Sequence, residues 1–281
     1  MRDLPVIPPF LKWPGGKRWF VSGAFADLLP TVAAGRYIEP FLGAGSVFFH
    51  LRPCRALLGD ANVDLIATYR AIKEDWRSVV RLLETHQSAH GDRYYYKMRD
   101  RAPTSLAERA ARFIYLNRTC FNGIYRVNRR GVFNVPKGTR SSVVLPTDDF
   151  ESIGRLLETA ELRAWDFEPL VDAAQAGDLV FADPPYTVRH NVNGFVKYNE
   201  RLFSWDDQVR LVRALSRARD RGVRIVATNA NHASVRGLYA RFKFGFHTVD
   251  RYSGISADVV SRKHFGELVV TALGRGRPTR N

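Results

Sequence analysis

The clearest chemistry in the chain lies in Asp183-Pro184-Pro185-Tyr186, which directly follows the apolar run Asp178 to Ala182. A strand ending in an acid, two prolines and an aromatic puts those groups at its carboxyl end, where open α/β sheets place ligands. The Asp183 carboxylate and the Pro184 carbonyl are two acceptors on a turn that proline stiffens. Together they can take both hydrogens of an exocyclic base amine, whose lone pair is otherwise delocalised into its ring. The nitrogen can then become tetrahedral as it attacks an electrophilic methyl. Tyr186 offers a flat face for a base, a contact worth about 1–3 kcal/mol; its plainer reading is a core aromatic. Carbon-5 methylation of cytosine needs a thiolate. Neither Cys54 nor Cys120 is near this turn in sequence, so amino chemistry is preferred, on adenine or on cytosine, and an RNA or protein amide methyltransferase could use the same turn.

A second group surrounds Phe41-Leu42-Gly43-Ala44-Gly45, between the strand Arg36 to Glu39 and the helical stretch Ser46 to Leu51. Strand, glycine loop and helix open a nucleotide-binding unit, and two glycines let the backbone approach a ligand closely. The third glycine of the dinucleotide fingerprint is missing, which favours a nucleoside without phosphates. Alone, the loop also reads as a tight turn. Asp60, at the end of the strand Arg55 to Gly59, can accept from ribose hydroxyls or cap the helix that begins at Ala61. Leu11-Lys12-Trp13-Pro14-Gly15-Gly16-Lys17 joins an aromatic, two glycines and a lysine, and by itself reads equally as a capped helix entry.

The elements that must hold these residues alternate between strand and helix. Spacing predicts helices over Lys17 to Leu29, Ala61 to Lys73, Asp149 to Thr159 and Trp205 to Arg221, with strands near Leu162 to Trp165, Val223 to Thr228 and Leu268 to Leu273. Between Trp76 and Tyr115 the spacing is helical throughout, and Asn117 to Lys137 is a basic loop or hairpin without a strong period. The expected fold is α/β: a Rossmann-like, mainly parallel sheet with helices on both faces and an inserted helical domain. Residues 1–74 with 147–274 form the catalytic domain, 75–146 the insert, and 275–281 a mobile basic tail.

Composition narrows the partners. With 281 residues, 45% hydrophobic, the chain can bury a large core. Its apolar runs are strand-sized, short of the roughly 20 residues a membrane helix needs, and residues 1–10 lack the apolar region of an export signal. Two cysteines build neither a disulfide framework nor a zinc site, so a reducing cytoplasm and no metal are expected. A formal charge of +15 favours nucleic acid, with an anionic membrane surface second. Between Asp75 and Pro146, 14 Lys and Arg stand against 5 Asp and Glu, placing +9 of that charge in about a quarter of the chain. Arg118, Arg129, Arg130, Lys137 and Arg140 there suit phosphates; on charge alone, a solvated basic loop is the plainer reading.

In order along the chain, L-K-W-P-G-G-K, E-P-F-L-G-A-G, L-G-D-A-N, Y-L-N-R-T-C-F-N-G-I-Y-R-V-N-R-R-G-V-F-N-V-P-K-G and F-A-D-P-P-Y closely resemble the Dam-type DNA adenine methyltransferases, from about Leu11 to Val270. The resemblance implies S-adenosylmethionine as cofactor, contacted by Trp13, Lys17, Phe41, Gly43, Gly45, Asp60 and Asp183. It makes Asp183 to Tyr186 the grip on a flipped adenine, with Phe195, Tyr198, Phe203 and Gln208 in a closing loop. It makes the insert the target-recognition domain on double-stranded DNA: Lys12, Phe121, Asn122 and Ile124 at the duplex, and Arg126 reading guanine, as an arginine can through O6 and N7. A monomer in a bacterial or phage setting, acting on nucleoid DNA, follows from the same likeness. Thr119-Cys120 departs from the expected aromatic and glycine, and the register around Ser261 to Leu268 is not aligned.

Overall fold

Leu179-Val180-Phe181-Ala182 is apolar on both sides of its pleat, and all four side chains are buried, as a central parallel strand requires. The computed structural model describes residues 6–23, 26–30, 35–123, 125–128, 131–187, 203–252 and 264–272. Ile124, Arg129, Arg130, Phe195, Tyr198 and the 275–281 tail lie outside the described residues. The chain divides into two compact units, residues 1–26 with 42–164 and residues 27–41 with 165–281.

In the first unit are helices α1 (Arg18–Val21), α2 (Ser46–Leu51), α3 (Val63–Ala89), α4 (Asp92–Asp100), α5 (Leu106–Thr119) and α6 (Phe150–Glu158), with strands β2 (Ala56–Gly59) and β3 (Ala160–Arg163). Strands β2 and β3 run parallel, Ala56 opposite Ala160 and Gly59 opposite Arg163. Helix α3 packs on α5 and α6. It breaks at Asp75, whose φ of −153° and ψ of 74° are not helical. The Asp75 carboxylate accepts from Ser78 N at 3.0 Å and Ser78 Oγ at 2.5 Å, so it caps the second half of the helix.

The second unit holds β1 (Tyr37–Glu39), β4 (Leu179–Ala182), β5 (Arg224–Ala230), β6 (Gly245–Tyr252) and β7 (His264–Ala272), with α7 (Phe167–Asp172), α8 (Trp205–Asp220) and α9 (Ala233–Arg241). Strands β1, β4 and β5 are parallel neighbours, while β7 runs antiparallel to both β5 and β6. Buried Asp178 accepts from Arg36 N at 2.7 Å and pairs with its guanidinium at 3.0 Å, tying the starts of β4 and β1. A capping box between Ser204 and Asp207 starts α8.

The parallel pair β2 and β3 in the first unit, and parallel β1, β4 and β5 with helices between strands in the second, are the expected Rossmann-like α/β class. Boundaries differ in places. The helix expected over Lys17 to Leu29 is a short α1 and a 3₁₀ turn at Ala26–Leu28, since Gly23 interrupts it and glycine costs about 1 kcal/mol in a helix interior. Strand β3 begins at Ala160, because Thr159 O already accepts from Ala56 N and pairing starts as α6 ends. Helices α7 and α9 carry periods too short to stand out, and the eight-residue β6 mixes Gly, His, Asp and Arg into its run.

Candidate active site

Because Ala182 is in register with Ala227, the residues just beyond them, Asp183 and Thr228, meet at the carboxyl ends of β4 and β5. Thr228 Oγ donates to Asp183 Oδ1 at 2.6 Å, and Thr228 is fully buried. Pro184 is buried and Pro185 half-buried. Tyr186 OH donates to Glu267 Oε2 on β7 at 2.9 Å. Burial first, then the Asp183 and Glu267 charges, push the Tyr186 phenol far above its usual range, so it remains a protonated donor. Thr187 Oγ donates to Phe203 O at 2.6 Å. Phe203 packs on Phe41 and Phe167 with ring centroids 5.5 Å away in both cases, and Phe41 stacks on Phe167 at 5.4 Å. Gln208 is buried and accepts from Asn229 Nδ2 at 3.1 Å.

The first unit contains the glycine turn. Gly43 and Gly45 have φ of 49° and 67°, a region costly for any residue with a Cβ. At Gly43 a Cβ would also lie 2.8 Å from Trp13 Cδ1. Gly43 N donates to Asp60 Oδ2 at 3.1 Å, Asn62 N donates to Asp60 Oδ1 at 2.9 Å, and Tyr69 OH donates to Gly43 O at 3.0 Å. Burial raises the Asp60 carboxyl above its usual range against the pull of those two backbone donors. The cap of α3 is Asn62, which accepts from Leu65 N, so Asp60 is left to the turn rather than to the helix. Lys17 is buried, with Nζ donating to Gly15 O at 2.8 Å. Trp13 stacks on Phe113 and Tyr125, at 6.2 and 6.3 Å, and those two rings lie 4.2 Å from each other.

The basic stretch of the same unit is an irregular hairpin, bridged at Cys120 to Lys137 and at Val127 to Phe133. Asn117 grips the Lys12 peptide from both sides: its Oδ1 accepts from Lys12 N at 2.9 Å and its Nδ2 donates to Lys12 O at 2.7 Å. Lys12 Nζ in turn donates to Asn122 O at 2.7 Å. Phe121 is 55% exposed although large and apolar, and Asn122 and Arg126 are exposed beside it. Lys137 pairs with Asp92 at 2.8 Å on the surface.

Arg118 does not face phosphates. It is 5% exposed, its fork meets both Asp148 oxygens at 2.6 Å, and it also donates to the carbonyls of Phe10 and Val143. The end of α5 is buried all round, without a break from Phe113 to Thr119, and nothing in the local charge pattern distinguishes Arg118 from the exposed Arg126.

Sequence reasoning missed Thr228, Glu267, Tyr69 and Asn117 as supports. For Thr228 a signal existed: Thr228-Asn229 is a polar pair ending an otherwise apolar strand, and buried polar groups need partners. Glu267 gave none, since its partner is 81 residues away.

A mostly parallel sheet with an acid-Pro-Pro-Tyr turn after one strand, in a chain with a glycine turn tied to a second acid, defines an amino-group methyltransferase. The chain belongs to the D12 class of N6 adenine-specific DNA methyltransferases, matching that family over residues 13–255. It is 34% identical over 277 residues to the Type II methyltransferase M1.LlaDCHI of Lactococcus lactis subsp. cremoris, covering 95% of this chain and 96% of the relative. It is 32% identical to the Type II methyltransferase M.MjaIII of Methanocaldococcus jannaschii, over 84% of this chain and 89% of that one. To the DNA adenine methylase of Escherichia coli K12 it is 29% identical, over 92% and 93% respectively. The family resolves the choice between adenine and cytosine that the residues alone left open. Among the described residues no helix is long and apolar enough to cross a membrane, and no cluster of ligating side chains could hold a metal.

Proposed function

We propose that this DNA adenine methyltransferase uses S-adenosylmethionine to methylate an adenine rotated out of duplex DNA, with Asp183 and Pro184 holding the target amine. The observation that carries the reading is Asp183 at the end of β4, anchored by Thr228, on the same turn as Tyr186 anchored by Glu267. Residues around the glycine turn fit the cofactor. Gly43 and Gly45 take the positive φ that a tight turn beside a ligand requires and that a residue with a Cβ would strain, and the Asp60 oxygens, each holding one backbone N–H, keep a second lone pair for a ribose hydroxyl. Trp13, Phe41 and Lys17 complete the cofactor contacts in this reading.

The cofactor supplies an electrophilic sulfonium methyl. Asp183 and the Pro184 carbonyl accept the two amine hydrogens, Pro185 stiffens the turn and Tyr186 stacks on the base. Extrusion costs a few kcal/mol, offset by contacts in the pocket. As the new nitrogen–carbon bond forms and the sulfur–carbon bond breaks, N6-methyladenine and S-adenosylhomocysteine would result, with one amine proton released from the attacking nitrogen. Residues 75–146 form the recognition domain, where Phe121 and Ile124 wedge into the duplex, Lys12 and Asn122 support them, and Arg129, Arg130 and Lys137 meet phosphates. The Lys137 pair with mostly exposed Asp92 is screened by solvent and yields to a phosphate. The enzyme works as a cytoplasmic monomer on nucleoid DNA.

Mass analysis of nucleosides from duplex DNA treated with protein and S-adenosylmethionine tests the reading; N6-methyladenine is expected, and N4-methylcytosine or an unmodified digest contradicts it. Gly43→Val places a β-branched side chain at positive φ against Trp13, so calorimetry should show S-adenosylmethionine bound roughly 10–100-fold more weakly. Unaltered affinity would remove the cofactor from this turn. For Arg126→Ala, discrimination at one base pair should fall by about 1–3 kcal/mol with little change in nonspecific affinity. Equal weakening on all sequences would instead make Arg126 a phosphate contact.

A further inference from the structure

We propose that Thr228 is a positioning residue for methyl transfer: its buried hydroxyl, donating to Asp183 Oδ1, sets the plane of the carboxylate that accepts the target amine. The inference rests on Asp183 being that acceptor. Strand β5 runs Ile225-Val226-Ala227, all buried, before it turns polar at Thr228 and Asn229. Packing does not require the hydroxyl there, since valine has the same shape. The register of β4 on β5 is what brings the two side chains together; the Thr228 hydroxyl donates to Asp183 Oδ1 at 2.6 Å and also meets the Tyr186 phenol.

The consequence is orientational. The terminal torsion of an aspartate is broad and roughly two-fold, so an untethered carboxylate samples planes in which neither oxygen addresses the amine. Holding Oδ1 removes that freedom. With Tyr186 fastened to Glu267, the four-residue motif is pinned at its first and last side chains from adjacent strands, β5 and β7. Small misplacements of a reacting group can cost about 10²-fold in rate, and a charge-assisted hydrogen bond has a comparable leverage.

Single-turnover methylation of a duplex oligonucleotide at saturating S-adenosylmethionine tests this. Thr228→Val should be slower by about 10–100-fold, with Kd for the duplex and for S-adenosylmethionine unchanged. Thr228→Ser restores the donor and should recover most of the rate. In an Asp183→Ala background Thr228→Val should cost much less than in the wild type, because the carboxylate it orients is gone and only its contact with Tyr186 remains. Wild-type turnover in Thr228→Val, equal losses in the valine and serine variants, or a loss confined to Kd would each overturn the proposal. If Thr228→Val folds poorly, Thr228→Cys, a weak donor of similar size, is read the same way. An Asp183→Ala enzyme at full speed overturns the reading of the site itself; an inactive Asp183→Ala beside an unimpaired Thr228→Val overturns only the role of Thr228.

Discussion

Asp183→Ala is expected to reduce the methylation rate by at least about 10²–10³-fold, the typical loss when one preorganised group facing developing charge is removed, while duplex DNA binding stays near wild type. The separation follows from where the residue stands. Asp183 is at the carboxyl end of β4 in the second unit, held by Thr228, whereas the exposed Phe121 and Arg126 belong to the hairpin of the first. As positive charge develops on the attacking nitrogen, the carboxylate stabilises it; alanine leaves the Pro184 carbonyl to act alone. Single-turnover kinetics paired with a duplex binding assay make the measurement. Undiminished turnover would refute the role of Asp183, and parallel loss of DNA binding would show a general collapse of the site.

Arg118→Ala should cost stability rather than DNA affinity. The guanidinium makes two 2.6 Å bonds to Asp148 and further bonds to Phe10 O and Val143 O, with both side chains of the pair under 10% exposed. Removing one partner leaves a buried, uncompensated carboxylate, a loss of about 3–5 kcal/mol, or roughly 10 °C in Tm for a domain of this size. Arg118→Met with Asp148→Leu should recover much of it, because replacing a buried ion pair by apolar residues is often neutral. Calorimetric melting and a salt titration of DNA binding distinguish this from phosphate contact: an unchanged Tm with a shallower salt dependence would return Arg118 to the DNA.

The contrast between these residues marks what sequence can reveal. Asp183 was legible because proline, proline and tyrosine after an apolar strand specify both a location and a chemistry. Gly43 and Asp60 were legible as a pair, since a strand, a tight turn and an acid at the next strand end belong to one local unit; only the structure assigns the helix cap to Asn62 instead. Arg118 misled because a basic stretch has one composition whether its side chains face solvent or a buried acid, and the choice depends on Asp148, thirty residues on. Thr228 stood out as a polar residue on an apolar strand, but its partner, like that of Glu267, depends on strand register, which no local pattern encodes. The same limit hid β6, whose place beside β7 is a matter of sheet edge rather than of its own periodicity.

Asn117 presents to Lys12 a donor and an acceptor spaced like those of a neighbouring peptide. A carboxylate in its place would set oxygen against oxygen, and an aliphatic side chain would leave both main-chain groups unmet. The requirement is imposed by backbone, which is the same whatever bases lie alongside. Residues at the hairpin tip can therefore be exchanged to suit another DNA site while this amide goes on serving as a one-residue splint for the segment that carries Lys12 and Trp13.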